Sequence, residues 1–314
     1  MPKLNVQQSN QNIIQAFRNA LAIGNLKGII ASDGNHNFST AGSNRNLLDN
    51  PWWGLNEVIN QRGNTSGQTT HNAYSIDRWK MSYGSAPGTW SIAADGITIT
   101  AASGTYALFQ QPLANPSALL GKTVTCSILF ADGTIASGTV ENITWTENPV
   151  VFTYRYARIQ LLNEGVFRVT VLSGGSETIR AVKLELGSVS TLANDTPPNY
   201  AEELAKCKYY CRVVDFDTDV SVGIGWAFSN SGAVIPNIFG FGNEMRAVPT
   251  VTSTGSFVLR TTGGANINVT SFAIGASVKD AISLNASVAS GLTANQPVRL
   301  QAGTGAKLVF SADL

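Results

Sequence analysis

Apolar and polar residues alternate along most of the chain beyond residue 46, as they do in strands that bury one face. Between residues 123 and 133, Val124, Cys126, Ile128 and Phe130 alternate with residues of the opposite face, and an Asp-Gly turn follows. The other segments predicted as strands are 96–101, 166–175, 181–187, 250–259, 266–275, 281–290, 297–301 and 306–314. Turns rich in Gly, Asn and Pro separate these segments, and no strand–helix–strand rhythm occurs. The pattern therefore predicts antiparallel β-sandwiches rather than a parallel α/β fold.

Two segments have helical spacing instead. Residues 12–30 carry apolar residues over about three helical turns, which would pack either at an oligomer axis or on their own domain. Asn199 is predicted as the N-cap of a second helix, because Glu202 follows three residues later, and this helix should end by about Arg212.

These elements divide the 314 residues into four predicted parts. They are an N-terminal helical segment with a polar linker (1–45), a first β-sandwich (46–198), a connecting helix (199–211) and a second β-sandwich (212–314). The predicted fold class is thus mainly β, with two sandwiches joined by a short helix.

The composition narrows the classes of function. Charged residues make up 13% of the chain, against about 25% in an ordinary soluble domain, and the net charge is +1. No basic stripe provides a basis for nucleic-acid binding. No apolar run approaches the ~18–20 residues of a membrane helix, and the polar start lacks a secretory signal, so we expect synthesis in a cytoplasm without membrane insertion. Because residues 218–314 hold only nine charged side chains, we expect part of this surface to be covered in an oligomer.

Several motifs occur in a fixed order along the chain. They are NLLDNPWWGLNEVINQRG (46–63), YSIDRWKM (74–81), AVKLELGSVSTLANDTPPNYAEELAKCKYYCRV (181–213), MRAVPTVTSTG (245–255) and SVASGLTANQPVRLQ (287–301). Together they resemble tail-fibre and receptor-binding proteins of tailed bacteriophages and prophages. Two features depart from that pattern: the Trp-Trp pair of the first motif stands where a single aromatic residue is more usual, and Cys211 stands where a polar residue is expected.

The resemblance implies a non-enzymatic virion protein that forms a homotrimer and has jelly-roll-like domains. Residues 1–45 would attach it to other tail or baseplate proteins, residues 46–198 would be similar to a carbohydrate-binding module, and residues 212–314 would form a trimeric tip that contacts a host surface glycan or another receptor. Two alternatives stay open: a polysaccharide depolymerase, and a structural baseplate or fibre adaptor that binds no receptor.

Catalytic chemistry has little support in the sequence. A depolymerase needs paired carboxylates, and the acidic candidates are Asp77, Asp95, Asp132, Glu141, Glu147 and Glu185, none of which forms a local motif. The sequence has no G-x-S-x-G, H-E-x-x-H or P-loop motif, and no period of the kind found in β-helical depolymerases. We therefore predict no catalytic residues.

Aromatic and amide side chains are the candidates for glycan binding, because sugars stack on flat rings and hydrogen-bond to amides. The candidate residues are Trp90, Tyr83, Trp226, Trp52, Trp53, Asn230 and Asn237. Among these, Trp90 and Trp226 have small, flexible neighbours, which favours exposure. The competing interpretation is that each tryptophan belongs to a β core. Loops 228–237 and 260–268, rich in Asn, Ser and Gly, are the predicted tip.

No cofactor is predicted, although a structural calcium is conceivable. Asp215, Asp217 and Asp219 alternate along one strand face and would either hold a cation or simply be exposed.

The two cysteines of the second helix, Cys207 and Cys211, are predicted to be reduced and buried. On that helix they would share one apolar face with Tyr200 and Leu204, while Glu203 would lie off it.

Overall fold

The computed structural model describes residues 30–32, 38–40, 43–240, 244–278 and 281–313. The helix predicted within residues 12–30 lies outside these residues except at its last position. Two short antiparallel strands, β1 (Ile30–Ser32) and β2 (Phe38–Thr40), pair within the segment that was predicted as a helix end and a polar linker, so the linker prediction is wrong there.

The first half of the described chain forms two antiparallel sheets of six strands each. Its strands are β3 (Ser66–Gln68), β4 (Ala73–Ile76), β5 (Trp79–Tyr83), β6 (Thr89–Ala93), β7 (Gly96–Thr100), β8 (Ala107–Pro112), β9 (Val124–Phe130), β10 (Ile135–Val140), β11 (Val150–Tyr154), β12 (Ala157–Leu162), β13 (Val166–Val171) and β14 (Ser176–Leu186). The sheet orders are β10-β9-β14-β7-β6-β3 and β11-β12-β13-β8-β5-β4. This confirms a mainly β, antiparallel fold of the sandwich kind.

The core of this sandwich follows the predicted alternation. Val124, Cys126, Ile128 and Phe130 are at most 1% exposed and belong to one apolar cluster with Trp79. Two 3-10 helices, Pro116–Leu119 and Leu192–Asn194, flank the sheets.

The outer face of β9 and β14 is buried as well, which alternation alone did not predict. Ser127, Lys183 and Glu185 are fully buried there. Residues 187–195 cross this face and bind its polar groups, as in the 2.8 Å hydrogen bond from the Thr191 amide to Glu185. The polar face of these two strands therefore packs against protein rather than solvent.

The second half forms a three-stranded sheet and a closed six-stranded barrel. Its strands are β15 (Cys211–Phe216), β16 (Val220–Ala227), β17 (Gly232–Gly240), β18 (Thr250–Thr254), β19 (Phe257–Thr261), β20 (Asn266–Val278), β21 (Ala281–Val288), β22 (Pro297–Ala302) and β23 (Ala306–Ser311). The sheet has the order β15-β23-β18, and the barrel has the order β16-β17-β21-β20-β19-β22. A two-sheet sandwich was predicted for this half. Register shifts within β16, β17 and β20 bend these strands and allow the sheet to close on itself.

The connecting helix, α1, spans Tyr200–Lys208 and begins as predicted. The Asn199 side chain caps it by accepting a hydrogen bond from the Ala201 amide at 2.9 Å. The helix ends before Cys211, which instead begins β15, so the predicted end is wrong.

The predicted faces of α1 are wrong at two positions: Tyr200 was predicted on the apolar face and Glu203 off it. Tyr200 is 52% exposed, whereas Glu203 is buried at 2%. Glu203 is buried because its carboxylate accepts a 2.5 Å hydrogen bond from the Asn50 amide and a 2.7 Å hydrogen bond from Lys206. Cys207 and Cys211 are buried free thiols, as predicted. Burial raises the pKa of both.

Residues of the quoted motifs meet beside this helix. The Asn50 side chain bonds to the backbone of Ile59 and Asp77, and the Asn50 carbonyl accepts hydrogen bonds from the indoles of Trp53 and Trp79. Arg62 forms a 2.6 Å ion pair with Asp313, near the end of the chain. These motifs therefore fix the backbone where the first sandwich contacts α1 and the last residues. No helix of the described chain is long and apolar enough to cross a membrane.

Candidate ligand-binding face on the barrel

Strand β16 presents large apolar side chains to the outside of the barrel. Ile224 is 63% exposed and Trp226 is 53% exposed, while Gly225 between them and Ala227 after Trp226 are buried. Phe228, directly after the strand, is 59% exposed. The alternation is that of a strand whose small residues face inward and whose large residues face outward.

The small residues explain why the aromatic residues face out. A Cβ atom at position 225 would overlap the carbonyl oxygen of Val234 on β17, so only glycine fits at this approach of two backbones. A Cβ atom at position 232 would overlap the Phe228 ring, which therefore lies against that glycine. The local sequence thus fixes both aromatic residues on the surface.

The neighbouring strands extend this surface. On β22, Pro297 lies opposite Trp226, and Arg299 lies opposite Ile224. On β19, Arg260 lies opposite Arg299. Directly opposite residues of antiparallel strands share one face, so these side chains are neighbours. We call this surface the Trp226 face and define it by Ile224, Trp226, Phe228, Arg260, Pro297 and Arg299.

A cleft of about 200 Å³ opens on the Trp226 face. Ile224, Pro297 and both arginines line it together with the threonines that follow Arg260. The cleft combines apolar walls with two guanidinium groups. Within the described ranges, neither arginine has an ion pair or a side-chain hydrogen bond to the protein.

The structure separates the predicted glycan-binding residues. The predicted exposure of Trp226 is confirmed. Asn230 is exposed in the turn between β16 and β17, and its carbonyl accepts a 3.0 Å hydrogen bond from the Leu292 amide. Asn237 lies in β17, but its side chain is outside the described residues. Loop 228–237 therefore lies beside the Trp226 face, and the 260–268 hairpin reaches the same face from β19.

The three other candidate tryptophans are buried. Trp90 is only 3% exposed, so its predicted exposure is wrong: it lies in β6 and packs edge-to-face on Phe109, with ring centroids 6.0 Å apart. Trp53 is 0% exposed and packs on Trp79 in the same core. Trp52 is buried against Ala181 and Leu192 in a smaller cluster. None of the three can offer a ring face to a ligand in this conformation.

Tyr83 is half-buried on β5 and does not join the Trp226 face. Its ring stacks on His71, with centroids 4.0 Å apart. A His71 ring nitrogen lies 2.6 Å from the Ser82 hydroxyl. The pair forms a small aromatic surface of its own on the first sandwich.

Sequence reasoning named only Trp226 among the six residues of the Trp226 face, although the predicted tip loops, 228–237 and 260–268, include Phe228 and Arg260. Ile224 and Phe228 had a visible signal, because the stretch IGWAF alternates large and small residues. No local signal indicated that Arg260 and Arg299 are neighbours, because 39 positions separate them and only the strand register brings them together.

The candidate acidic residues are mostly occupied or isolated. Asp132 pairs with Arg155 at 2.7 Å, and backbone and side-chain hydrogen bonds lower its pKa to about 2. Asp77 is buried, and burial raises its pKa to about 6. Glu141 and Glu147, both exposed, line one small cleft of about 110 Å³ with Trp145.

The aspartates of the DFDTDV stretch are exposed rather than clustered around an ion. Asp215 pairs with Lys307 at 2.6 Å, and Asp219 accepts a 2.8 Å hydrogen bond from the Thr304 amide. The part of the chain that the structure describes contains no group of three residues suited to hold a metal.

Comparison with known proteins adds little. No protein-family model and no curated protein matches the chain. The solved structure of the N-terminal CBM22-1–CBM22-2 tandem domain of Xyn10C from Paenibacillus barcinonensis aligns over 88% of this chain and 98% of its own, at 9% identity and a TM-score of 0.16. A TM-score of this size carries no argument about fold or function.

Proposed function

We propose that this chain is a receptor-binding protein of the bacteriophage tail-fibre type, and that it recognises a host surface glycan through the Trp226 face. The observation that carries the proposal is the row of exposed apolar side chains on β16. Ile224, Trp226 and Phe228 are each more than half exposed, although the other face of the strand is buried in the barrel core. Contiguous exposed apolar surface of this kind marks interaction sites.

The chemistry of the face suits a saccharide. An indole ring offers a flat apolar surface for the C–H groups of a sugar ring. Exposed amides lie at its edges, on Asn230 beside Phe228 and on Asn266 beside Arg260. An apolar platform with a few polar groups around it is the usual composition of a ligand site.

Contact between identical copies of the chain is a less favourable role for the Trp226 face. Packing identical copies of this face around one axis would bring the arginine pairs of different subunits together, and like charges across an interface oppose association. We therefore assign the face to a ligand and leave the subunit contacts of the proposed homotrimer to other surfaces. In that trimer three equivalent faces would act together, which raises avidity without a new contact. Residues 1–45 would attach the trimer to the tail or baseplate.

An array of bacterial surface polysaccharides, probed with the purified chain, tests the proposal. We expect wild-type protein to bind a subset of polysaccharides, and Trp226→Ala to lose that binding. Tyr200→Ala is the matched control, because Tyr200 is an aromatic residue of similar exposure, 52%, on α1. Equal binding by Trp226→Ala and wild type would reject the assignment of the face.

Two further readouts separate the competing functions. Light scattering should give the mass of three chains, and a monomer would contradict the fibre architecture. Release of reducing ends from a bound polysaccharide, lost in Glu141→Gln, would support the depolymerase function in place of simple binding. Binding to another virion protein without any binding to polysaccharides or host cells would support the structural adaptor.

A further inference from the structure

The strand register places two arginines side by side on the Trp226 face. Arg299 of β22 and Arg260 of β19 are directly opposite partners in an antiparallel pair. The row runs from Ile224 through Arg299 and Arg260 to Asn266. Side chains in such positions start from Cβ atoms about 5 Å apart, and like charges there are destabilising.

No described carboxylate relieves this repulsion. In this half of the chain, Asp219 is bonded to Thr304, and Asp313 is paired with Arg62. Neither arginine has an ion pair among the described residues. The register therefore leaves two like charges at directly opposite positions with no counter-charge from a described residue.

An anion between the two guanidinium groups would remove the repulsion. Arginine presents a planar fork of N–H donors that matches the oxygens of a carboxylate or a phosphate. Two forks at the edge of one cleft form a site for one such group, and Ile224, Pro297 and Trp226 provide the apolar surface beside it.

We infer that the ligand of the Trp226 face is an acidic saccharide, in which a carboxylate or a phosphate binds between Arg260 and Arg299 while the sugar ring packs on the apolar side. This inference rests on the proposed function and names its ligand class. A nucleic-acid backbone fits less well, because a duplex or strand needs a longer basic stripe than two arginines.

The test uses an array of acidic bacterial polysaccharides, each printed beside its carboxyl-reduced or dephosphorylated form. Wild-type protein should bind at least one acidic polymer about tenfold more tightly than its neutral form, since hydrogen bonds to charged groups contribute more than neutral ones. Carboxyl-reduced and dephosphorylated pairs distinguish the two sources of charge. The preference should weaken as salt is added.

Arg260→Gln and Arg299→Gln should each abolish most of this preference. Arg45→Gln, at an exposed arginine just before the first sandwich, removes the same charge and should keep the preference for the acidic polymer. Because each substitution at the pair also removes the like-charge repulsion, we expect melting temperatures no lower than that of wild type. Loss of binding would then not be due to unfolding.

The outcomes separate the inference from the proposed function. Equal binding to charged and neutral forms, with Trp226→Ala defective on both, would overturn the acidic ligand and keep the glycan receptor. Arginine variants that bind like Arg45→Gln would overturn it as well. Binding of single-stranded DNA in preference to every polysaccharide would overturn both.

Discussion

Lys183 is a fully buried lysine on the outer face of β14, and its replacement by methionine should destabilise the first sandwich strongly. Its ammonium group donates 2.8 Å hydrogen bonds to Asp195 and to the Thr191 hydroxyl, and it lies 3.7 Å from the buried carboxylate of Glu185. Methionine fills a similar volume but removes the charge that balances these carboxylates.

The magnitude follows from burial. Breaking a buried ion pair by removing one partner costs about 3–5 kcal/mol, because an uncompensated buried charge is left behind. Thr191 still donates two hydrogen bonds to Glu185, at 2.8 and 2.5 Å, and Asp195 keeps 10% of its side chain in solvent. We therefore expect a loss near the lower end, about 3 kcal/mol in the free energy of unfolding. For a domain of this size that lowers the melting temperature by about 6–12 °C.

Urea unfolding followed by tryptophan fluorescence measures the effect, since five of the six tryptophans lie between residues 52 and 145. Lys122→Met is the control, because Lys122 is an exposed lysine of the same sandwich with no ion pair among the described residues, and the expected change is within about 0.5 kcal/mol. Adding Asp195→Asn to Lys183→Met should recover part of the loss, because it removes the carboxylate that the ammonium group binds at 2.8 Å. A Lys183→Met protein within about 0.5 kcal/mol of wild type would refute the reasoning.

Three further predictions concern other parts of the molecule. Burial raises the folded-state pKa of Asp77 to about 6, above that of an ordinary aspartate, so its stabilising contribution is greatest below about pH 4 and is lost as pH rises through 6. The unfolding free energy of wild type relative to Asp77→Asn should therefore fall between pH 4 and pH 7, and a difference that rises would contradict this. Gly225→Ala should lower the melting temperature by forcing β16 from β17, whereas Gly263→Ala, whose Cβ would only touch the Thr261 hydroxyl at 3.9 Å, should leave it nearly unchanged. The three cysteines are buried, and a thiol reagent should label none of them in the folded protein and all three in urea; rapid labelling without urea would show that the burial is wrong.

Local patterns predicted part of the strands, among them β7, β9, β13, β14 and β20 to β23, and part of the first core, but they did not predict β3 to β6, β8, β10 to β12 or β15 to β17. Alternation identified the apolar and the polar face of β9 and β14, but it could not show that residues 187–195 would cover the polar face. Burial of Lys183 and Glu185 depends on that distant segment. Closure of the second half into a barrel likewise depends on register shifts, which short-range periodicity does not encode.

The members of the candidate site also differ in how far local sequence patterns predict them. Trp226 could be predicted because its immediate neighbours are small. Trp90 has small neighbours too, yet its strand turns that ring toward Phe109, so neighbour size alone did not decide exposure. The paired arginines come from strands far apart in sequence, and no local signal links them.

The affinity of wild-type protein and of Trp226→Ala for one polysaccharide selected on the array tests the role of the Trp226 face most directly. A tryptophan side chain covers about 250 Å² at most. It is 53% exposed here, and a ligand would cover about half of that, on one ring face. At about 25 cal/mol per Å², this contributes about 1.5 kcal/mol, or about a tenfold change in the dissociation constant. We expect Trp226→Ala to bind about tenfold more weakly, with Trp226→Phe between the two and Tyr200→Ala equal to wild type. An unchanged dissociation constant for Trp226→Ala, measured by biolayer interferometry on the same polysaccharide, would contradict the assignment.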